Sequence, residues 1–271
     1  MKPNLRILSL GAGVQSSTLA LKIKQGEIPM VDAAIFADTK GEPQAVYTWL
    51  NWLEKQLNYP VYKVFYRDLK QDILDASVGK FKAFTAPFYT KNLETGKKGL
   101  LRRQCTADYK IKPVVKKVRE MLGLEWGEKR KKGTSVEMIM GISIDEIFRM
   151  KTNRIKYITN VYPLVDSKLS RQDCKQWMKD QGYPTPPRSA CTFCPYHSTE
   201  EWLEIKKNPK EWADVVAMDK TIRDTEKFKK GDNKDQMFLH RSCVPLDEVN
   251  FKKEDPQLDL FNSECEGMCG N

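Results

Sequence analysis

Residues 5–23 constrain this chain most. Leu5 to Leu10 is a short apolar run ending in Gly11-Ala12-Gly13, and Ser16 to Ile23 follows with Leu19, Ala20 and Ile23 at helical spacing. Strand, glycine turn and helix in that order start a crossover unit, and the pattern recurs. Ala33 to Phe36 reads as a second buried strand. Pro43 opens a helix carrying Val46, Trp49, Leu50, Leu53 and Leu57, and Val61 to Tyr66 is a third strand. The expected fold class is α/β: a doubly wound, mainly parallel sheet with helices on both faces, binding ligands at the carboxyl ends of its strands.

Further along, Lys80 to Gly99 has no clean period and reads as an insertion or lid. Helix is expected around Ile111 to Leu122, and Val136 to Gly141 is another core strand. Ser170-Arg171-Gln172-Asp173 and Ser198-Thr199-Glu200-Glu201 read as helix-opening capping boxes, the first helix stopping at Gly182. The expected division is an α/β core at 1–165, with a basic insertion near 80–132, and a small helical, Cys-containing region at 166–271. From Glu254 onward the chain carries five acids and no base. That tail is expected to be extended unless its cysteines anchor it.

With 40% hydrophobic and 30% charged residues among 271, the chain suits a globular core rather than a disordered or fibrous one. No apolar run reaches the roughly 18 residues of a membrane span. The opening MKPNLRILSL runs into a glycine turn without a small-residue cleavage site, so a cytoplasmic location and no membrane partner are expected. The formal net charge is +10, and Lys97 to Lys132 holds thirteen basic residues against four acidic ones. Such a stretch suits a polyanion, and the expected partner is a nucleic acid, tRNA or DNA. A solvated helix face and loop is the plain alternative.

Gly11-Ala12-Gly13-Val14-Gln15-Ser16-Ser17 sets backbone N–H groups, hydroxyls and a helix N-terminus around one point, a combination that binds phosphate. The Walker pattern is absent, since no Gly-Lys-Ser/Thr follows, and the G-x-G-x-x-G spacing of a dinucleotide site is absent too. Alone, the run is equally a tight strand-to-helix turn.

Several segments in order resemble one family. Ser9 to Ser17 looks like the PP-loop of the adenine nucleotide alpha hydrolase superfamily, and Phe36-Ala37-Asp38-Thr39-Lys40-Gly41-Glu42 looks like the segment after that family's second strand. Arg103-Gln104-Cys105-Thr106 with Lys110-Ile111-Lys112-Pro113 resembles a block of the phosphoadenosine phosphosulfate (PAPS) reductase branch, which includes DNA-sulfur-modification relatives. Gly141-Ile142-Ser143-Ile144-Asp145-Glu146-Ile147-Phe148-Arg149 matches its Gly-x-x-x-x-Glu-x-x-Arg block. The resemblance extends through Tyr162-Pro163-Leu164 to Cys191-Thr192-Phe193-Cys194-Pro195.

It implies a PP-loop fold that binds ATP and Mg²⁺. Ser9, Gly11, Ala12, Gly13, Gln15, Ser16 and Ser17 would cradle the phosphates, with Asp38 and Gly141 completing the cofactor site. Cleavage between the alpha and beta phosphates would adenylate a substrate, with Ser16, Cys105, Arg103, Glu146 and Arg149 as the catalytic candidates. Where the common loop reads Ser-Gly-Gly-x-Asp-Ser, this chain has Gln15 in place of the acid. A carboxylate able to hold the metal is therefore missing, and Glu42, Asp145 or Glu146 would have to compensate.

Seven cysteines without an even pairing argue for metal or redox use in a reducing compartment. Cys191-x-x-Cys194 and the terminal Cys265 and Cys269 form two close pairs, suited to Zn²⁺ or a 4Fe-4S cluster. Cys105, with Arg102, Arg103 and Lys110 near it in sequence, is expected as nucleophile, persulfide carrier or cluster ligand. Cys174, inside a helical pattern, reads as a buried inert thiol, and Cys243 is left open. His197 is a candidate metal ligand or a loop residue. The functions in view are an ATP-dependent adenylating enzyme that moves sulfur onto a nucleic acid, with a sulfur-donor protein as a further partner; a PAPS-type reductase; and a non-catalytic nucleotide-sensing nucleic-acid binder.

Overall fold

The computed structural model describes residues 3–77, 86–125, 127–224 and 235–251. In chain order the elements are β1 (Leu5–Leu10), α1 (Val14–Gln25), β2 (Ala33–Asp38), α2 (Gln44–Gln56), β3 (Val61–Phe65), α3 (Leu69–Ser77), β4 (Tyr89–Asn92), β5 (Lys98–Leu100), α4 (Lys112–Met121), β6 (Val136–Met140), β7 (Ile158–Val161), α5 (Pro163–Asp166), α6 (Arg171–Asp180), α7 (Thr199–Lys206), α8 (Pro209–Arg223) and β8 (Asp235–Phe238). A π-helical turn at Thr106–Ile111 leads into α4, and 3-10 turns cover Ile144–Arg149 and Leu246–Glu248.

These residues fall into two compact units. One comprises the chain up to Tyr66 with Thr106–Ala190, and the other Arg67–Cys105 with the chain from Cys191. In the first, five strands form an all-parallel sheet in the order β3-β2-β1-β6-β7. Both faces are covered. Leu8, Leu10 and Phe36 pack with α1, α2 and α6, while Ile7, Ile35 and Met138 pack with Val114 and Val118 of α4. This is why β2 is buried at every position and reads as a continuous apolar run instead of an alternating one. The fold is therefore the doubly wound α/β expected. Helix α1 is buried from Val14 to Ile23, as a helix enclosed on all sides must be.

Both capping boxes form: Ser170 accepts from the Asp173 amide and Ser198 from the Glu201 amide, with the acids returning to the cap amides. Such caps contribute about 1 kcal/mol each.

In the second unit β5, β4 and β8 make a small antiparallel sheet. Strand β4 and the start of β5 lie within the Lys80–Gly99 stretch that shows no period. They are short and polar, and β8, the second partner of β4, is more than 130 residues away in sequence. Asp219 on α8 is fully buried and organises this unit. Its carboxylate accepts from the amides of Leu239 and Leu246 at 3.0 and 3.1 Å and from Arg223 Nε at 2.9 Å. No helix among the described residues is long and apolar enough to cross a membrane.

Candidate functional site

The chain leaves β1 towards β2 on one side of the sheet and reaches β6 and β7 on the other. Strand order thus reverses between β1 and β6. Open α/β sheets take ligands at the carboxyl ends of the strands beside such a switch point. Two stretches singled out in the sequence flank it: Gly11–Ser17 after β1 and Gly141–Arg149 after β6.

Gln15, in the first turn of α1, joins them. Its Nε2 donates to Ser143 Oγ at 3.3 Å and to Glu146 Oε2 at 3.1 Å. Glu146 Oε1 in turn accepts from Arg149 Nη1 at 2.7 Å, in a largely buried pair. The amide that replaces the expected acid is therefore a donor to a carboxylate, a role aspartate cannot fill when ionised.

The glycine turn is bent at Ala12, whose φ is 60°. A residue with a Cβ takes this left-handed conformation at a cost of roughly 1–2 kcal/mol. Gly13, the residue capping α1, offers no side-chain bond, and the first helical turn contains no acid. The positive end of the helix is left for an anion. Ser16 Oγ accepts from the Gly11 amide at 3.2 Å, bracing the turn, and Ser17 Oγ accepts from Trp49 Nε1 at 2.9 Å. Ser16 Oγ also donates, over a long 3.5 Å, to the Gly13 carbonyl, while the Ser17 hydroxyl keeps its proton for a ligand. Ser9 Oγ and Gln15 Oε1 are buried and have no hydrogen-bond partner among the described residues. Unsatisfied buried polar atoms cost about 1–3 kcal/mol each, and a ligand group is one explanation for them.

Past β2, Asp38 accepts from the Lys40 amide at 2.8 Å and from Tyr47 Oη at 2.9 Å, and pairs with Lys40 Nζ at 2.8 Å. It closes a turn in which Lys40 has φ 61°. Glu42 is buried, pairs with Lys110 Nζ at 3.3 Å and accepts from Ser189 Oγ at 3.4 Å. Asp145 accepts from the Arg171 amide at the start of α6. All three carboxylates named as replacement metal ligands, Glu42, Asp145 and Glu146, are thus engaged by protein groups. Among the described residues no group of three or more His, Cys, Asp or Glu side chains is placed to hold a metal ion.

Cys105, Arg103, Cys191 and Cys194 belong to the second unit. The Cys191–Cys194 turn is closed by the Cys194 amide on the Cys191 carbonyl at 2.9 Å, and both cysteines are half-buried and outside any disulfide. His197 is held by the Cys191 carbonyl at 2.9 Å and Glu201 at 3.4 Å and packs edge-on to Trp202, a loop-fixing arrangement. Two thiolates are half of a tetrahedral or cubane ligand set. Cys265 and Cys269 lie outside the described residues, so the described part does not complete such a centre. Arg103 lies over the Tyr196 ring at 5.7 Å, and Cys105 is half-buried and outside any disulfide. Cys174 is buried in α6. Cys243 is buried as well; desolvation pushes its thiol pKa up, with Lys98 and Lys91 opposing.

The basic stretch is divided between the two units. Lys97, Lys98, Arg102 and Arg103 fall in the second unit, Lys110 is buried against Glu42, and Arg119 donates to the carbonyls of Glu125 and Glu128. Sequence reasoning passed over Ser143 as a partner of Gln15, and Trp49 and Ser189 as polar participants. Trp49 carries only a helical-period signal, which its core position explains equally well.

The fold defines the class as an open, doubly wound α/β protein whose strand order reverses between β1 and β6. No family model matches the chain, and no curated protein matches it. Among solved structures it is similar to phosphoadenylyl-sulfate (PAPS) reductase from Candida auris in a phosphate complex. The identity is 14%, the match covers 69% of this chain and 76% of that one, and the TM-score is 0.42.

Proposed function

We propose that this chain is a nucleotide-utilising enzyme of the PP-loop type, which binds ATP at the carboxyl end of the parallel sheet with its phosphates over Gly11 to Ser17. The Gln15 bridge to Ser143 and Glu146 carries this reading, because it fixes the two loops that flank the switch point as one rigid surface beside an uncapped helix end. Backbone amides of the first turn, with Ser16 and Ser17, are the donors for phosphoryl oxygens. Donors fixed in advance stabilise the charge that grows as a phosphoryl bond breaks.

In the proposed reaction an oxygen of the acceptor attacks the alpha phosphorus. The bond to the bridging alpha–beta oxygen breaks, and pyrophosphate leaves with that oxygen. The acceptor we favour is a nucleic acid, on the strength of the +10 charge, and the group that later displaces AMP is sulfur, with Cys105 as its candidate carrier.

The test is pyrophosphate release from ATP with and without added nucleic acid. Release that requires nucleic acid and falls at least tenfold in Ser16→Ala supports the reading. Absence of pyrophosphate, together with thiol-dependent reduction of PAPS, would assign the reductase activity instead.

A further inference from the structure

We propose that the β7 edge of the sheet is a track for single-stranded nucleic acid, leading along the first unit to the carboxyl end of the sheet. The inference rests on the nucleic-acid acceptor proposed above and assigns its path to the Phe148–Lys156 segment, with Lys129–Lys132 of the basic stretch at one end.

Strand β7 is the last strand of the five-stranded sheet. Against it lies a cavity of about 510 Å³ whose lining includes Met150, Lys151, Asn153, Lys156, Thr159 and Tyr162. That volume falls within the range of small-ligand pockets, roughly 300–1,000 Å³. Its wall is rigid: Asn153 Nδ2 donates to Asn160 Oδ1 at 3.0 Å, while Asn160 Nδ2 and Tyr162 Oη both donate to the Lys151 carbonyl.

Charge and shape select the occupant. From Ile147 to Val165 the chain has no acidic residue. Arg149 is spent on Glu146, but Lys151, Arg154 and Lys156 are exposed and carry no ion pair among the described residues. Two residues before Met150, Phe148 is 73% exposed, and Ile144 and Ile147 on the same 3-10 turn are exposed too. An exposed ring beside unpaired cations is the composition on which bases stack while phosphates are neutralised. At the other end of β7 the Arg130 guanidinium lies 5.5 Å over the Tyr157 ring, which brings the exposed Lys129–Lys132 run to the same edge. The positive surface therefore runs from the loop before β6, past the cavity, to Phe148 beside the Glu146–Arg149 pair.

Anisotropy of a labelled single-stranded oligonucleotide of about a dozen nucleotides, within the site sizes of such grooves, tests this on the full chain. Lys151→Gln/Arg154→Gln/Lys156→Gln should weaken binding at least tenfold and reduce the salt slope by about two, at roughly 0.7 per phosphate contact. Phe148→Ala should weaken it about fivefold or more, and Phe148→Trp should restore it. Neutralising Lys55, Lys175 and Lys179, exposed on α2 and α6, removes the same charge and should change affinity by less than about twofold. Edge variants that bind like the parent, or a control triple that weakens binding as much, would overturn the track while leaving a nucleic-acid acceptor standing. Failure of the parent chain to bind any nucleic acid at low salt would overturn both. A duplex that binds as tightly, without regard to Phe148, would overturn the single-strand assignment.

Discussion

Gln15 Nε2 lies 3.1 Å from Glu146 Oε2, a hydrogen bond between residues 131 apart in sequence. It makes the turn after β1 and the turn after β6 one structure, and it explains why an amide stands where an acid was expected. An ionised Asp or Glu at position 15 would face the Glu146 carboxylate.

Gln15→Glu should therefore be destabilised in a pH-dependent way. Like charges raise the pKa of the introduced pair in the folded state, so the native protein binds more protons than the unfolded chain. Stability should be near that of the parent below about pH 4 and fall as the pH rises through the raised pKa, by about 1–3 kcal/mol at pH 7. Urea denaturation at pH 4, 5.5 and 7 checks the sign; a variant more stable at pH 7 than at pH 5.5 relative to the parent would refute it.

The buried Glu42–Lys110 pair should be costly to break from one side. Glu42→Gln removes the buried carboxylate paired with the Lys110 ammonium and should lose about 3–5 kcal/mol. Glu42→Leu with Lys110→Met should recover most of that loss, because burying neither charge removes the desolvation penalty. Denaturation midpoints of the single and double variants decide the matter.

Tyr89 should titrate late. Burial is the main cause and Tyr196 adds to it, against Arg241, so its hydroxyl pKa is pushed up to about 12. The native state favours the protonated phenol, so this contribution to stability is complete below pH 10 and is lost as the pH climbs from 10 through 12. Difference absorbance of the parent against Tyr89→Phe should show the missing phenolate only above pH 11. A change at pH 10 would show Tyr89 to be solvated.

Much of the fold was legible in the sequence because the β1–β3 units are local. Each apolar run, turn and helix from Leu5 to Phe65 is complete within a few dozen residues and carries its own period. The capping boxes at Ser170 and Ser198 were legible for the same reason. The second unit was not, since β4 meets β8 across a long gap and Asp219 works through amides at positions 239 and 246, partners with no linear signature. At the site, the stretch around Gly11 announced itself through glycines and hydroxyls. The Gln15 bridge could not, because Ser143 and Glu146 become neighbours of Gln15 only when β1 and β6 pair.

Calorimetric titration of ATP into the full chain asks most simply whether the turn from Gly11 to Ser17 holds nucleotide phosphates. One site with a Kd in the micromolar to millimolar range, common for substrates, is predicted. Ser16→Ala should weaken it about five- to tenfold through loss of one hydroxyl contact. No heat from the parent chain at millimolar ATP, or equal affinity in Ser16→Ala, would contradict the assignment of this turn as the phosphate site.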